Sequence, residues 1–277
     1  MKEYIIHNGK FYRSVENTVN IQSRGLRYGE GFFETMRSEK GKIELKEYHF
    51  ERILKSFELL HFTQSRQMNI EAIEIKINQL LIKNDHLQTA RIRLMFFGKN
   101  GGIYDNVNDL PDYTIESWAI QPEPKLNSNG LVIGIYEKAI KVCDAFSNLK
   151  SNNFLPYVMA ADHAKKNKLN DCIILNMHGR ICDTTIANLF IIKNKKIITP
   201  SLDEGCIAGV MRRNVIERIK EKYSVEERAV TVKEIYEADE IFLTNAIKGI
   251  RWVKSLDDHT YSNKLVKGIY DLVNSTI

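Results

Sequence analysis

The stretch Leu149-Lys150-Ser151-Asn152-Asn153-Phe154-Leu155-Pro156, followed by Asp183 and then by Ala187-Asn188-Leu189-Phe190, decides how this chain of 277 residues is interpreted. It places a lysine at the head of a predicted helix and a carboxylate on a predicted strand further along the chain. Pyridoxal phosphate needs these two groups, because the amine links covalently to its aldehyde and the carboxylate keeps its ring nitrogen protonated. A lysine on a loop is usually only solvated, so the neighbouring motifs carry the interpretation.

The composition permits such an enzyme but does not select it. Hydrophobic residues make up 43% of the chain, which is enough for two packed cores or one large one. The net charge of +5 comes from interspersed acidic and basic residues, so we expect no nucleic-acid partner. No apolar run approaches the roughly 20 residues of a membrane span, and the N-terminus lacks the apolar stretch of a signal peptide. We therefore expect a cytoplasmic protein with no membrane partner.

The cysteines suggest neither a disulfide framework nor a metal site. They are isolated along the chain, without a pair at metal-ligand spacing. The residues concerned are Cys143, Cys172, Cys182 and Cys206.

Patterns of strands and helices alternate along the chain and predict two mixed α/β domains. A helix is predicted over residues 49–60, where apolar residues recur at helical spacing, and a strand over residues 90–96, where they alternate. Residues 121–130 contain two prolines and few apolar side chains, which predicts a linker. The sequence thus predicts a smaller N-terminal domain, residues 1–120, and a larger C-terminal domain, residues 131–277, that carries Lys150.

Six motifs, in order, resemble those of the class IV (fold-type IV) pyridoxal-phosphate enzymes. They are Arg24-Gly25-Leu26-Arg27-Tyr28-Gly29-Glu30-Gly31-Phe32-Phe33-Glu34-Thr35-Met36-Arg37, His49 with Arg52, Lys150, Asn188-Leu189-Phe190, Gly205-Cys206-Ile207-Ala208-Gly209-Val210-Met211-Arg212, and Thr244-Asn245-Ala246. The family contains branched-chain and D-amino-acid aminotransferases and aminodeoxychorismate lyase. The resemblance spans nearly the whole chain and implies a mixed α+β fold of two domains, like that of D-amino-acid aminotransferase. It also implies an active site at the domain interface and across a homodimer.

Three positions are predicted to bind the cofactor phosphate. Arg52 would offer a charge-assisted bond from the polar stripe of its helix, although surface arginines on such helices are commoner. The turn Gly209-Val210-Met211 opens a helix, whose backbone amides and dipole suit an anion, although such glycines are often simple caps. Asn245 matches the third phosphate contact of the family.

Two cofactor contacts differ from the family pattern. Asp183 stands where relatives usually have glutamate, which is one methylene longer, so closer backbone or a bridging water is expected. Phe154 stands where many relatives have a tyrosine that binds the phenolate oxygen of the cofactor. Phenylalanine cannot make that hydrogen bond.

The choice of reaction rests on a few side chains. For both kinds of reaction, the resemblance implies that Lys150 acts as general acid and base on the α proton. Thr35 stands where aminodeoxychorismate lyase has a threonine implicated in catalysis, which favours release of 4-aminobenzoate and pyruvate in folate synthesis. The alternatives are a transaminase for branched-chain or D-amino acids, which needs a 2-oxo acid, and a pyridoxal-phosphate-binding protein with little catalysis.

The residues predicted to bind substrate are Tyr28, Arg37, Lys99 and Ala246. Residues 97–104 resemble the glycine-rich substrate loop of the lyase but lack its arginine. Lys99 would supply a point charge there, without the fork of donors that recognises a carboxylate. Tyr28 and Arg37 match positions that line the corresponding region in relatives, so they are also predicted to contact substrate.

Overall fold

The structure is a computed structural model that describes residues 3–16, 18–105, 109–122 and 125–275. The chain divides into two compact units. Among the described residues, the first unit contains those up to Pro122 together with Leu149–Asn153, and the second contains those of 125–148 and those from Phe154 onward. No helix in the described ranges has the length and apolar character needed to cross a membrane.

The first unit is built on a six-stranded antiparallel sheet with the strand order β2-β1-β6-β5-β3-β4. Its elements are β1 (Tyr4–His7), β2 (Lys10–Arg13), α1 (Arg24–Tyr28), β3 (Gly31–Glu39), β4 (Lys42–Ile43), α2 (Lys46–Leu59), a 3-10 turn (Arg66–Met68), α3 (Ile70–Asn84), β5 (Thr89–Phe97) and β6 (Asp112–Ala119).

One face of this sheet packs against α2 and α3. Because side chains alternate between the faces of a strand, Phe32 and Met36 of β3 point into this core. Phe33, Thr35 and Arg37 therefore share the opposite face of the strand.

The second unit is built on a nine-stranded mixed sheet. The strand order is β12-β11-β10-β13-β14-β7-β8-β9, and β15 pairs with β14. Its elements are β7 (Leu131–Lys141), α4 (Leu155–Lys166), β8 (Asp171–Asn176), β9 (Ile181–Thr184), β10 (Asn188–Lys193), β11 (Lys196–Pro200), a 3-10 turn (Leu202–Glu204), α5 (Val210–Ile219), β12 (Val225–Arg228), α6 (Val232–Tyr236), β13 (Glu240–Asn245), β14 (Gly249–Leu256), β15 (His259–Thr260) and α7 (Lys264–Asn274).

The segment Leu149–Asn153 belongs to the first unit. Its backbone pairs with the start of β3: the Phe33 amide donates to the Lys150 carbonyl, and the Asn152 amide donates to the Gly31 carbonyl, both at 2.9 Å. Such long-range pairing leaves no local signal in the sequence. The predicted boundaries stay a prediction, and two residues of the predicted linker, Glu123 and Pro124, lie outside the described residues.

Candidate active site

Lys150 lies against the face of β3 that points away from the core. Its Nζ is 4.7 Å from the centroid of the Phe33 ring. Thr35 is two residues further along β3 and so shares this face with Phe33. The structure therefore brings the two residues predicted to be catalytic, Lys150 and Thr35, to the same face of one strand.

A third polar group on this face, Arg93, was missed by the sequence analysis. Its Cζ lies 4.0 Å from the centroid of the same Phe33 ring, and its backbone is paired with that of Thr35. Burial, assisted by the neighbouring Arg91, lowers the pKa of the guanidinium, while Glu116 opposes the change. The alternation in residues 90–96 places Arg91 and Arg93 on one face of the strand. This pattern is the sequence feature from which the position of Arg93 could have been predicted.

No hydrogen bond or ion pair within 4 Å joins the Arg93 guanidinium to another residue that the structure describes. A half-buried cation without such a partner suits a carboxylate, which accepts paired N–H bonds from the guanidinium fork.

Arg52 is held in place by a buried carboxylate from β3. Its Nε and Nη2 donate to the two oxygens of Glu34, each at 2.7 Å, and Nδ1 of His49 lies 2.6 Å from Glu34 Oε2. Burial alone would raise the pKa of Glu34, but its electrostatic interactions and hydrogen bonds with Arg52 and His49 outweigh burial and lower this pKa to about 2. Glu34 therefore fixes the orientation of Arg52, the residue predicted to bind the cofactor phosphate. This role of Glu34 was not predicted from the sequence.

Of the predicted substrate residues of the first unit, Tyr28 and Lys99 both lie beside Arg24, and Arg37 lies further along β3. Tyr28 ends α1 and is partly exposed, with the Arg24 guanidinium 5.6 Å from its ring centroid. Arg37 lies on the same face as Thr35 but pairs with Glu44 at 3.2 Å. Lys99 follows β5, and its carbonyl accepts a hydrogen bond from the Arg24 amide at 2.8 Å.

Residues 97–104 lack an arginine of their own, but Arg24 reaches them from α1. Its guanidinium donates to the Gly102 carbonyl and forms two bonds with Glu30, at 2.7 and 3.0 Å. Because this guanidinium already binds Glu30 and the loop carbonyl, we interpret Arg24 as a residue that holds the loop in place rather than as a substrate ligand.

In the second unit, Asp183 lies buried in β9, and its two oxygens have different surroundings. Oδ2 accepts hydrogen bonds from the Tyr157 hydroxyl and from the Ile207 amide, both at 3.0 Å. Oδ1 is buried and has no hydrogen-bond partner among the described residues. One oxygen of the predicted ring-nitrogen ligand is thus available to a bound group.

Phe154, at the head of α4, stacks on Tyr157 with ring centroids 4.3 Å apart. The Tyr157 hydroxyl, three residues later, was not among the predicted site groups. Burial, with a further contribution from Asp183, raises the pKa of Tyr157 well above its usual value, so its hydroxyl remains a donor.

The predicted phosphate turn before α5 is held by Asn188. The Asn188 Nδ2 donates to the Ile207 carbonyl at 2.8 Å. A Cβ at Gly209 would lie 1.9 Å from the Asn188 Oδ1, so any other residue there would force the Asn188 side chain to move. Val210 and Met211 then form the first turn of α5, which has no side-chain cap.

The third predicted phosphate contact lies at the end of β13. Asn188 of β10 pairs with Thr244 of β13, so the strand ends carrying Asn188 and Asn245 lie side by side. Asn245 Oδ1 accepts hydrogen bonds from the amides of Ile247 and Lys248, at 3.0 and 2.8 Å, which shapes the turn containing Ala246. The structure thus brings the predicted turn Gly209-Val210-Met211 and the predicted contact Asn245 to neighbouring strand ends.

Comparison with known proteins now identifies the family. A family model described as amino-transferase class IV matches residues 31–256. The chain belongs to this family. This chain is 29% identical over 268 residues to a putative branched-chain-amino-acid aminotransferase of Methanocaldococcus jannaschii. The alignment covers 96% of this chain and 91% of that protein. It is 28% identical over 245 residues to an aminodeoxychorismate lyase of Vibrio harveyi, covering 86% and 87%.

The fold of this class IV enzyme matches solved structures. One is a branched-chain amino acid aminotransferase from Escherichia coli, at a TM-score of 0.85 and 22% identity, covering 98% of this chain and 92% of that chain. The expected mixed α+β fold of the fold-type IV enzymes is confirmed.

Proposed function

We propose that this protein is a pyridoxal-phosphate-dependent lyase that releases 4-aminobenzoate and pyruvate from aminodeoxychorismate. The buried Oδ1 of Asp183 supports the cofactor, because it has no hydrogen-bond partner among the described residues. A buried carboxylate oxygen without a donor is costly, and a protonated ring nitrogen is a donor of the right kind. The residues present therefore fit pyridoxal phosphate.

The remaining cofactor contacts follow from the groups described above. Lys150 would supply the amine for the covalent link, and Arg52, oriented by Glu34, would bind the phosphate. The amides of Gly209, Val210 and Met211 at the start of α5 suit the same anion. Asn245 would contribute to phosphate binding through the turn that it shapes. Phe154 would flank the pyridine ring of the cofactor.

When bound, pyridoxal phosphate supplies an electron sink that makes an α proton removable. Lys150 would hold and return that proton as general base and acid. Thr35 would donate a proton through its hydroxyl to the part of the substrate that leaves as pyruvate. Arg93 would orient a substrate carboxylate, in a region where Tyr28, Arg37, Lys99 and Ala246 are also predicted to line the substrate.

One observation carries the lyase proposal: Thr35 is on the strand face where the Lys150 amine lies against Phe33. A hydroxyl there is useful for elimination, which needs a proton donor besides the lysine. A transaminase is the second candidate, and it is favoured by the alignment with the putative branched-chain-amino-acid aminotransferase over 96% of this chain.

A single assay separates the two candidates. Purified enzyme is mixed with aminodeoxychorismate, and pyruvate is followed with and without an added 2-oxo acid. We expect pyruvate without any acceptor. We also expect Thr35→Val to lower the rate by about 100-fold or more, the usual effect of removing a general acid, while cofactor is still trapped on Lys150 by borohydride. Amino transfer to a 2-oxo acid without pyruvate release would refute the lyase proposal.

We further propose that the enzyme is a homodimer. Helix α4 supports this, because it leaves the apolar side chains of Leu155, Val158 and Met159 exposed on the second unit. Apolar patches of this kind often mark protein interfaces. Light scattering after size exclusion should give a dimer for the wild type and a smaller species for Val158→Asp, and a monomeric wild type would contradict the proposal.

A further inference from the structure

A buried lysine in the second unit, Lys141, has no role in the function proposed so far. It is the last residue of β7, and only 11% of its side chain is exposed. Its Nζ lies 3.7 Å from Asp183 Oδ2 and 5.1 Å from the centroid of the Tyr157 ring. This ammonium group makes no hydrogen bond with the described residues. Burying a cation in this way is costly unless a nearby anion compensates it, and Asp183 is that anion.

Lys141 acts on only one side of the carboxylate. Oδ2 of Asp183 faces the Lys141 ammonium and also accepts the hydrogen bonds from Tyr157 and Ile207. Oδ1 is the oxygen left without a hydrogen bond in the described structure. The carboxylate is therefore held through Oδ2, while Oδ1 remains for the bound group.

The other titratable groups facing Asp183 are uncharged near neutral pH. They are the Tyr157 hydroxyl from α4, the Cys182 thiol beside it on β9, and the Cys206 thiol from the segment before α5. Burial raises the pKa of each, to about 12 for Cys206. Arg212 faces Cys206 but pairs with Glu227 at 2.7 Å. Lys141 therefore supplies the positive charge that competes directly for this carboxylate.

We propose, resting on the pyridoxal-phosphate function above, that Lys141 is a positioning residue that weakens the hold of Asp183 on the ring-nitrogen proton. A cation close to a carboxylate offsets part of its charge, and it also disfavours a second cation nearby. The ring nitrogen thus loses its proton at a lower pH than it would beside Asp183 alone. Lys141 tunes the strength of the electron sink without touching substrate.

The test follows the ring nitrogen directly in holoenzyme that carries cofactor labelled with ¹⁵N in the ring. The ¹⁵N chemical shift reports protonation and is recorded against pH. We expect the midpoint for Lys141→Met to lie about one pH unit or more above that of the wild type. Lys141→Arg, which keeps the charge, should restore the wild-type midpoint. Lys138→Met, which removes an exposed lysine from the same strand, should leave it unchanged.

Several results would overturn the proposal. These are coincident midpoints in the wild type and Lys141→Met, a wild-type nitrogen that stays protonated over the whole range in which the protein is folded, or an equal shift in Lys138→Met. A lysine that only stabilised the fold would change the unfolding temperature and leave the midpoint alone. If Lys141→Met does not fold, Lys141→Gln provides the same loss of charge.

Failure of this inference is distinguishable from failure of the proposed function. Borohydride trapping on Lys150 is measured first for each variant. A wild-type protein that traps no cofactor refutes the function, whereas full trapping with unshifted midpoints refutes only the role of Lys141.

Discussion

Replacing Glu34 by glutamine tests whether the buried ion pair with Arg52 organises the first unit. The carboxylate is fully buried and binds Arg52 through two bonds of 2.7 Å, with His49 at 2.6 Å. Glutamine has nearly the same shape but no charge. The buried ion pair with Arg52 would then be broken, and removing one partner of a buried ion pair is costly.

The expected loss follows from the pKa of Glu34. The fall from 4.5 to about 2 corresponds to about 3 kcal/mol, at about 1.4 kcal/mol per pH unit. Because the pKa is lowered by folding, this stability is present above pH 4.5 and is lost as the pH falls towards 2. By pH 3.5 the unfolded chain is largely protonated at this group, so about 1 kcal/mol of the difference has gone.

The assay is urea unfolding of the wild type and Glu34→Gln at pH 7.5, 5 and 3.5. We expect Glu34→Gln to be less stable by about 3 kcal/mol at pH 7.5, with a smaller deficit at pH 3.5. Glu44→Gln is the matched control, because Glu44 pairs with Arg37 at 3.2 Å but is only half-buried and its pKa is raised by burial. A Glu34→Gln deficit that is absent, or that is the same at all three pH values, would refute the reasoning.

Two further variants test the phosphate turn and substrate recognition. Gly209→Ala should destabilise the protein by about 1–3 kcal/mol and weaken cofactor binding at least tenfold, since its Cβ would lie 1.9 Å from Asn188 Oδ1. Urea unfolding and cofactor titration measure this, and adding Asn188→Ala should recover part of the loss if the clash is the cause. Arg93→Met should raise KM by about 10–100-fold, the effect of losing a charge-assisted bond, while the cofactor absorbance stays unchanged. Steady-state kinetics with an unaltered KM would show that another group binds the carboxylate.

The elements that depend on local signals are the ones that a sequence predicts most readily. Gly209 precedes the first residue of α5 and Asn188 begins β10, because a helix start and a strand start are encoded by neighbouring residues. The role of Glu34 was not predicted, although the residue lies inside a recognised motif. Its partners His49 and Arg52 are 15 and 18 positions away, and only the packing of α2 on β3 brings them together.

Lys141 shows why other parts of the site could not be predicted from the sequence. The hydrophobic pattern of β7 would bury Ile140 and expose Lys141, whereas the structure exposes Ile140 and buries the lysine beside Asp183. The cause is an irregularity in the pairing of β7 with β8: Tyr136 pairs with Ile174, but the next pair is Ile140 with Leu175. The extra residues bulge out of β7, and strand alternation cannot be carried across them. Neither the composition nor the spacing of residues reveals a register shift of this kind. The shift nevertheless decides which charge faces Asp183, so the electrostatics of the site depend on backbone register.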